Sequence, residues 1–476
     1  MNPRIARVML ALIGLMMAHA IAAGADRPNV LFILTDQQSA TMMSCTGNPW
    51  LKTPAMDYMA ANGVRFERAY ATNPVCVPSR IGLMTGRFPG NFGARENGSG
   101  MRARDFSNEV LETSLGQVMA RAGYEVAYGG KVHLPAPLRP EKNGFTMLTS
   151  NSREKLASVC ADYIRQEHAK PFFLFASFIN PHDICYYALH GRDAEDWRKE
   201  LRKEEPARHQ AIRVLLEEMR WPEGVSEEVF YADHCPPLPA NFEPQEDEPE
   251  AMKQLLQQRD FRRNARETYS ARDWRLHRWA YARLTERVDR QVQMLLDALR
   301  ESGKLKNTVV IYSSDHGDMD AAHRMEHKSA MYEESARIPL LVMDPDAASK
   351  GRVDAEHLIS NGLDLLPTLC DYAGLPAPKG LKGLSFRPLV QGETPANWRS
   401  SLGVESEIGR GVIAGNYKYL RYDFAGKKEE RLHDLESDPG ELTHFTNDPD
   451  YADVLSRLRR QYVSWFPPPK QPDDSQ

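Results

Sequence analysis

The 476-residue chain is poor in cysteine, close to charge balance and, beyond its first residues, without any long apolar run. Six cysteines, at 45, 76, 160, 185, 235 and 370, show no repeated spacing and no CxxC pair, so no disulfide is assigned. With 60 basic against 65 acidic residues, the net charge of −5 gives no reason to expect nucleic acid or an anionic membrane surface as partner. No segment after residue 23 is long and apolar enough to span a bilayer, and no internal repeat is present. A hydrophobic content of 42% with 26% charged residues describes a soluble globular chain able to bury a large core.

What is present begins at the N-terminus. Arg4 and Arg7 precede an apolar run from Val8 to Met17, followed by the small-residue stretch Ala18-His19-Ala20-Ile21-Ala22-Ala23. This is the pattern of a secretory signal over residues 1–23, cleaved between Ala20 and Ala23, and it places the protein in the periplasm or outside the cell. No cysteine follows the run, so lipid anchoring is not expected.

The body of the chain alternates buried strands and helices. Asn29 to Leu34 is a continuous apolar run ended by Thr35-Asp36-Gln37, which reads as a buried parallel strand. Thr53-Pro54 reads as an N-cap and first turn of a helix. Further strands are expected at Val64–Ala71, Tyr124–Tyr128, Pro171–Phe178, Thr308–Ser313 and Ile338–Met343. Helices are expected at Ser79–Met84, Leu115–Ala122 and Trp274–Ser302. Asp36, Lys131, His182 and Asp315 each stand just beyond the last apolar residue of a different strand. In an open α/β sheet, residues at the carboxyl ends of strands converge on one edge, where ligands bind. Residues from about 186 to 271 are rich in Arg, Lys, Glu and Pro and read as a charged helical insertion with solvated charge runs. The C-terminal part turns to short strands (Val412–Ala414, Tyr417–Tyr422) and a last helix, Tyr451–Trp465.

Cys76-Val77-Pro78-Ser79-Arg80, with Thr85-Gly86-Arg87 after a short helical run, stands out. A cysteine at a helix N-terminus, where backbone N–H groups and the helix dipole favour an anion, is placed for chemistry rather than packing. Arg80, four residues on, shares its helical face, and its planar fork suits an oxyanion. Asp36-Gln37 and Asp315-His316 form two polar pairs on two strand ends, a donor set for one divalent cation.

Taken together, the cysteine motif, Asp36-Gln37, Gly130-Lys131-Val132-His133-Leu134, Pro181-His182-Asp183 and Ser314-Asp315-His316-Gly317 followed by Lys328 resemble the formylglycine-dependent sulfatases of the alkaline phosphatase superfamily. The resemblance runs from about Pro28 to Leu435–Glu441, with the motifs in family order. It implies an α/β fold: an alkaline-phosphatase-like sandwich with a large, mostly parallel central sheet and a small α+β C-terminal subdomain. The implied division is a catalytic domain at 27–385, carrying the charged insertion, and a subdomain at 386–476.

By the same resemblance Cys76 is oxidised to formylglycine by a maturation enzyme, and its hydrated aldehyde attacks sulfur. Arg80 holds the nucleophile and a sulfuryl oxygen. Asp36, Gln37, Cys76, Asp315 and His316 ligate a divalent cation. The family's usual second residues are Asp and Asn. The resemblance implies calcium; Gln37 and His316 lower the ligand charge and add a nitrogen, which admits magnesium or manganese. Lys131, His182 and Lys328 bind the sulfate group, Lys328 or His182 protonates the leaving oxygen, and His133 helps collapse the sulfated hemiacetal. His323 is a further candidate for the pocket. Asn91–Met101 and Asp183–Tyr187 are candidate substrate contacts.

The expected activity is hydrolysis of a sulfate monoester, on a sulfated small molecule or glycan. Two other readings stand beside it. A phosphonate or phosphate monoester hydrolase of the same superfamily shares the Asp-Gln and Asp-His pairs. A non-catalytic carbohydrate-binding relative would leave Cys76 a thiol.

Overall fold

The computed structural model describes residues 27–190 and 206–468, so the signal pattern at residues 1–23 lies outside the described residues, as does part of the charged insertion. The central sheet is built from β1 (Asn29–Asp36), β2 (Val64–Phe66), β4 (Glu125–Gly130), β5 (Thr146–Thr149), β6 (Phe172–Pro181), β7 (Thr308–Ser314), β8 (Leu340–Met343) and β9 (Arg352–Asp354). Its spatial order is β5-β4-β6-β1-β7-β8-β2-β9. Every pairing is parallel except those of β8, which runs antiparallel to both β7 and β2. The sequence pattern of β8 could not show its direction, because a buried strand is apolar on both faces either way.

All eight residues of β1 are buried, and their alternation divides the core. Val30, Phe32 and Leu34 join one apolar layer, and Leu31 and Ile33 the opposite one. Helices α2 (Cys76–Thr85), α3 (Leu115–Arg121) and α6 (Asn361–Tyr372) cover the first face. Helices α1 (Pro54–Asn62), α4 (Leu156–Arg165) and α5 (Ala271–Glu301) cover the second. The result is the helix–sheet–helix sandwich expected of the alkaline-phosphatase-like fold.

The C-terminal strands β11 (Leu402–Ser406), β12 (Gly409–Ala414), β13 (Tyr417–Phe424) and β14 (Lys427–Asp434) form an antiparallel meander. Helix α7 (Ala452–Trp465) seals one face through Leu455 and Leu458 on Val412, Tyr419 and Leu432. The other face lays Leu420 and Tyr422 against Met319, Met325, Met331 and Tyr332, so the small sheet buttresses the chain that follows Asp315.

Three expectations need correction. The single strand at 64–71 is two: β2 joins the main sheet, and β3 (Ala69–Tyr70) pairs separately with β10 (Ile359–Ser360). Thr53 and Pro54 take the N-cap and first positions of α1 as expected, but no capping bond comes from the Thr53 side chain, whose hydroxyl accepts from the Ser44 N–H at 2.9 Å instead. Nor are the charges of the insertion all solvated. Ile212, Leu215, Phe230 and Tyr231 pack on Leu276, Trp279 and Leu284 of α5, Arg262 is buried, and Arg266 forks onto Glu248 with both bonds at 2.8 Å. An amphipathic charged segment and a clamping one have the same composition; only the neighbours distinguish them.

Candidate active site

Strands β4, β6, β1 and β7 lie side by side, and they are the four whose ends carry Lys131, His182, Asp36 and Asp315. Register sets Asp36 opposite Pro181 and Gly130 opposite Ser177. Gly130 has φ +94°, and a Cβ there would collide with the Ser177 carbonyl. Glycine therefore lets the chain turn at the strand end, where Lys131 N–H donates to the Ser177 carbonyl at 2.9 Å.

Cys76 is the first residue of α2, whose ten residues are all buried; Gly86 ends the helix with φ +66° and an N–H bond to the Gly82 carbonyl. Around the Cys76 Sγ stand His316 Nε2 at 3.2 Å, Lys328 Nζ at 3.2 Å, Asp36 Oδ1 at 3.6 Å and Lys131 Nζ at 3.8 Å. Burial alone would raise the thiol's pKa. The Lys131 and Lys328 ammoniums, His316 and a hydrogen bond from His133 override it and hold the group well below its ordinary range. The site is thus built to stabilise negative charge at residue 76.

The ligating atoms of Asp36, Cys76, Asp315 and His316 all lie within 4.8 Å of one another, and all four residues are buried. Two carboxylates and an imidazole, converging without any exposed member, fit a divalent cation. His316 Nδ1 lies 2.8 Å from the Gly317 carbonyl, which places the proton there and leaves the Nε2 lone pair turned to the cluster. Gln37 is held differently: its amide oxygen accepts from Lys328 at 2.7 Å and from Cys185 at 3.2 Å, and its amide nitrogen donates to Asp318 at 2.6 Å. To ligate a metal its oxygen must exchange those donors for the ion.

Arg80 departs from its expected role. Its Nε donates to Asp315 at 2.8 Å and one Nη to Asp36 at 3.0 Å; the other Nη reaches the Lys131 carbonyl and Ser177 Oγ, both at 2.9 Å. The fork braces the two carboxylates, and its hydrogen bonds go to them rather than to Cys76. Helical spacing set its face but not its partners. Burial opposes charge at Asp36, but Lys131, His182 and Arg80 hold it below the usual carboxylate range. Asp315, buried and facing Asp36, is pushed up to about 7. Two adjacent buried carboxylates share the same cations, and only one of them keeps its charge easily.

Lys131 also forms an ion pair with Asp36. His182 lies 4.0 Å from Asp36, and burial together with Lys131 and Lys328 pushes it down to about 4. The Nδ1 atoms of His133 and His182 are buried without a hydrogen-bond partner among the described residues. Lys328, buried yet among Cys76, Cys185 and the carboxylates, is held above its usual range.

Other candidates are not brought in. His323 stacks on Tyr332 with centroids 4.1 Å apart and has no contact with Cys76. Asp183 is buried in a two-bond pair with Arg153 at 2.9 and 2.7 Å, and Tyr187 donates to the Asp273 carbonyl, so 183–187 is packing rather than a substrate loop. Within 91–101, Asn97 Oδ1 accepts from Val77 N–H at 3.0 Å and supports the cysteine turn. Sequence reading missed Ser177, Asp318 and Tyr281, whose hydroxyl donates to the Gln37 carbonyl at 2.6 Å; within the candidate segment 183–187 only Cys185 reaches the site, through its bond to the Gln37 amide oxygen. Only Ser177 carried a signal: a lone hydroxyl inside an apolar strand.

This arrangement has relatives. The Sulfatase family profile matches residues 28–375. The chain belongs to the sulfatase family. A second profile, N-sulphoglucosamine sulphohydrolase, C-terminal, matches residues 321–465 of this sulfatase. A delta 4,5-hexuronate-2-O-sulfatase of Bacteroides thetaiotaomicron is 28% identical over 470 residues, covering 94% of this chain and 90% of its own. The solved structure of a 2-O GAG sulfatase superposes with a TM-score of 0.77 at 26% identity, covering 92% of each chain. A phosphonate monoester hydrolase of Agrobacterium radiobacter shares the fold, with a TM-score of 0.68 at 22% identity over 92% of this chain and 95% of its own. The protein is accordingly a sulfuric ester hydrolase.

Proposed function

We propose that this sulfatase is exported and removes sulfate from a sulfated carbohydrate, with Cys76 converted to formylglycine by a maturation enzyme and a calcium ion held by Asp36, Gln37, Asp315, His316 and residue 76. One observation carries the reading: a fully buried side chain at residue 76, ringed by two lysines and a histidine above two carboxylates. The carbohydrate substrate is supported by the relatives, one named for a hexuronate sulfate and one for a glycosaminoglycan. Export rests on the Arg4-to-Ala23 pattern.

The oxidised residue supplies a hydrated aldehyde oxygen as nucleophile, and the cation supplies a Lewis acid beside it. The chain's own side chains do the rest. Lys131 and Lys328, on either side of residue 76, neutralise the non-bridging sulfuryl oxygens as charge gathers there. Lys328 Nζ carries a proton to the leaving oxygen, and His182, uncharged at neutral pH, orients that oxygen by a hydrogen bond. His133 takes the hydroxyl proton at residue 76 as sulfate departs. Arg80 keeps both carboxylates and the Lys131 backbone in register.

Peptide mass spectrometry of protein from its native host, with a parallel assay of aryl sulfate, aryl phosphonate and defined sulfated sugars, tests the reading. An aldehyde at residue 76 and turnover of the sulfate esters are expected. An unmodified thiol overturns the formylglycine step. Phosphonate preferred by orders of magnitude overturns the substrate class in favour of the phosphonate-hydrolase reading, whose fold this chain shares.

A further inference from the structure

The loop that carries Lys328 has an unusual backbone. Asp320, Ala321, His323, Arg324, His327 and Ser329 all have positive φ, between 44° and 81°, and none is glycine. Side chains other than glycine avoid this region, so six such residues in ten persist only where the surroundings dictate the path. The loop's own backbone ties are Met319 N–H to the His327 carbonyl at 2.8 Å, Ala321 N–H to the Met325 carbonyl at 3.0 Å, and the tight-turn bonds Ala322 to Met319, Arg324 to Ala321 and Met325 to Ala322 at 2.8, 3.1 and 2.9 Å. The remaining restraint comes from elsewhere in the chain.

Much of it comes from the charged insertion. Arg266 donates to the His323 carbonyl at 2.7 Å and to the Arg324 carbonyl at 3.4 Å, two successive left-handed residues. Its guanidinium is locked by the two 2.8 Å bonds to Glu248, itself largely buried. His323 N–H bonds the Asn241 carbonyl at 2.7 Å, and Arg324 pairs with Glu243 at 2.8 Å. Beyond Lys328, Ser329 is fixed at its N–H by the Pro74 carbonyl at 3.0 Å and at its carbonyl by Ser406 at 2.5 Å. Lys328 thus hangs between a fixed Ser329 and a turn whose carbonyls Arg266 grips.

We propose that Arg266, locked by Glu248, is a positioning residue that holds the 320–329 loop in the one path that delivers the Lys328 ammonium to residue 76. This rests on the proposed role of Lys328 at the sulfuryl group. A planar fork is required, because it must bond two backbone carbonyls and a carboxylate at once; lysine keeps the charge but not the geometry. The insertion is then part of the catalytic apparatus without touching substrate.

The test is a double-mutant cycle in the matured enzyme, reading kcat/KM on an aryl sulfate and inhibition by inorganic sulfate. R266M is expected to lower kcat/KM by about 10- to 100-fold, the scale on which small misplacements act. R266K is expected to fall between R266M and wild type. Inhibition by sulfate weakens in parallel with kcat/KM. In a K328M background R266M then costs nothing further, because the group it positions is gone. E248Q, which leaves the bonds from Arg266 to the loop in place, shows a smaller loss with the same epistasis and serves if R266M does not fold. Losses from R266M and K328M that multiply overturn the inference, since a merely structural residue acts independently of Lys328. R266M within threefold of wild type overturns it too. K328M with wild-type kinetics removes the parent reading of Lys328 and this inference together, so the two failures are distinguishable.

Discussion

Replacing Arg80 by methionine puts the electrostatics of the site to a quantitative test. Arg80 is 2% exposed and carries ion pairs of 3.0 and 2.8 Å to Asp36 and Asp315, neither of them exposed. Removing one partner of a buried ion pair leaves an uncompensated buried charge and costs about 3–5 kcal/mol. Two features bound the figure from above. Asp315 already leans toward protonation, at about 7, and relieves part of the loss by taking a proton. The acceptors at Ser177 Oγ and the Lys131 carbonyl, 2.9 Å from the missing nitrogen, become accessible to water filling the vacated fork. The expected loss in metal-free buffer is therefore about 3–5 kcal/mol, and R80K, which keeps charge without the fork, is expected to lose roughly half of that. Arg165 provides the control: its pair with Glu301 is as short, 2.8 Å, but both side chains are more than 40% exposed. R165M should cost less than about 1 kcal/mol. Urea unfolding followed by tryptophan fluorescence in chelator reads all three variants. If R80M unfolds within about 1 kcal/mol of wild type, the carboxylates do not depend on the guanidinium, and the brace described above is wrong.

Two further expectations follow from the same geometry. Chelation should abolish turnover of sulfate esters and lower the unfolding midpoint, and added calcium should restore both in proportion to site occupancy. His316→Asn, which removes the nitrogen donor, should shift preference further toward calcium over manganese; activity indifferent to chelation would refute the metal assignment. His277 is fully buried, and its two ring nitrogens have no hydrogen-bond partner among the described residues. Burial first, then Arg278, pushes its pKa from 6.5 down to about 3. Below about pH 6.5 the unfolded chain therefore binds a proton that the folded chain refuses, and stability falls as pH drops toward 3, by at most about 1.4 kcal/mol per pH unit for this one group. His277→Phe should gain on wild type as pH falls from 7 to 5 in urea titrations and run parallel to it above 7; parallel curves throughout would refute the assignment.

Much of the site was legible because the relevant signal is local. An apolar run followed by a polar residue marks a strand end wherever it occurs. Asp36, Lys131, His182 and Asp315 were found in that way, and the structure sets their four strands side by side. The cysteine motif likewise declares a helix N-terminus within a few residues. Lys328 carried no such mark, because it lies in a loop whose path is dictated by residues far away in the chain.

The sequence by itself determined that polar strand ends should gather at one edge of a buried parallel sheet, with a reactive cysteine beside them. That outcome follows from the burial periodicity of strands and the common direction of their carboxyl ends. Only the tertiary structure decided what each side chain meets there. It gave the Arg80 hydrogen bonds to the carboxylates and the Gln37 oxygen to Lys328, reversed β8 and brought Arg266 onto a loop 57 residues away in sequence. Hydrogen-bond partners at such separations are fixed by packing across layers, which no local pattern of residues encodes.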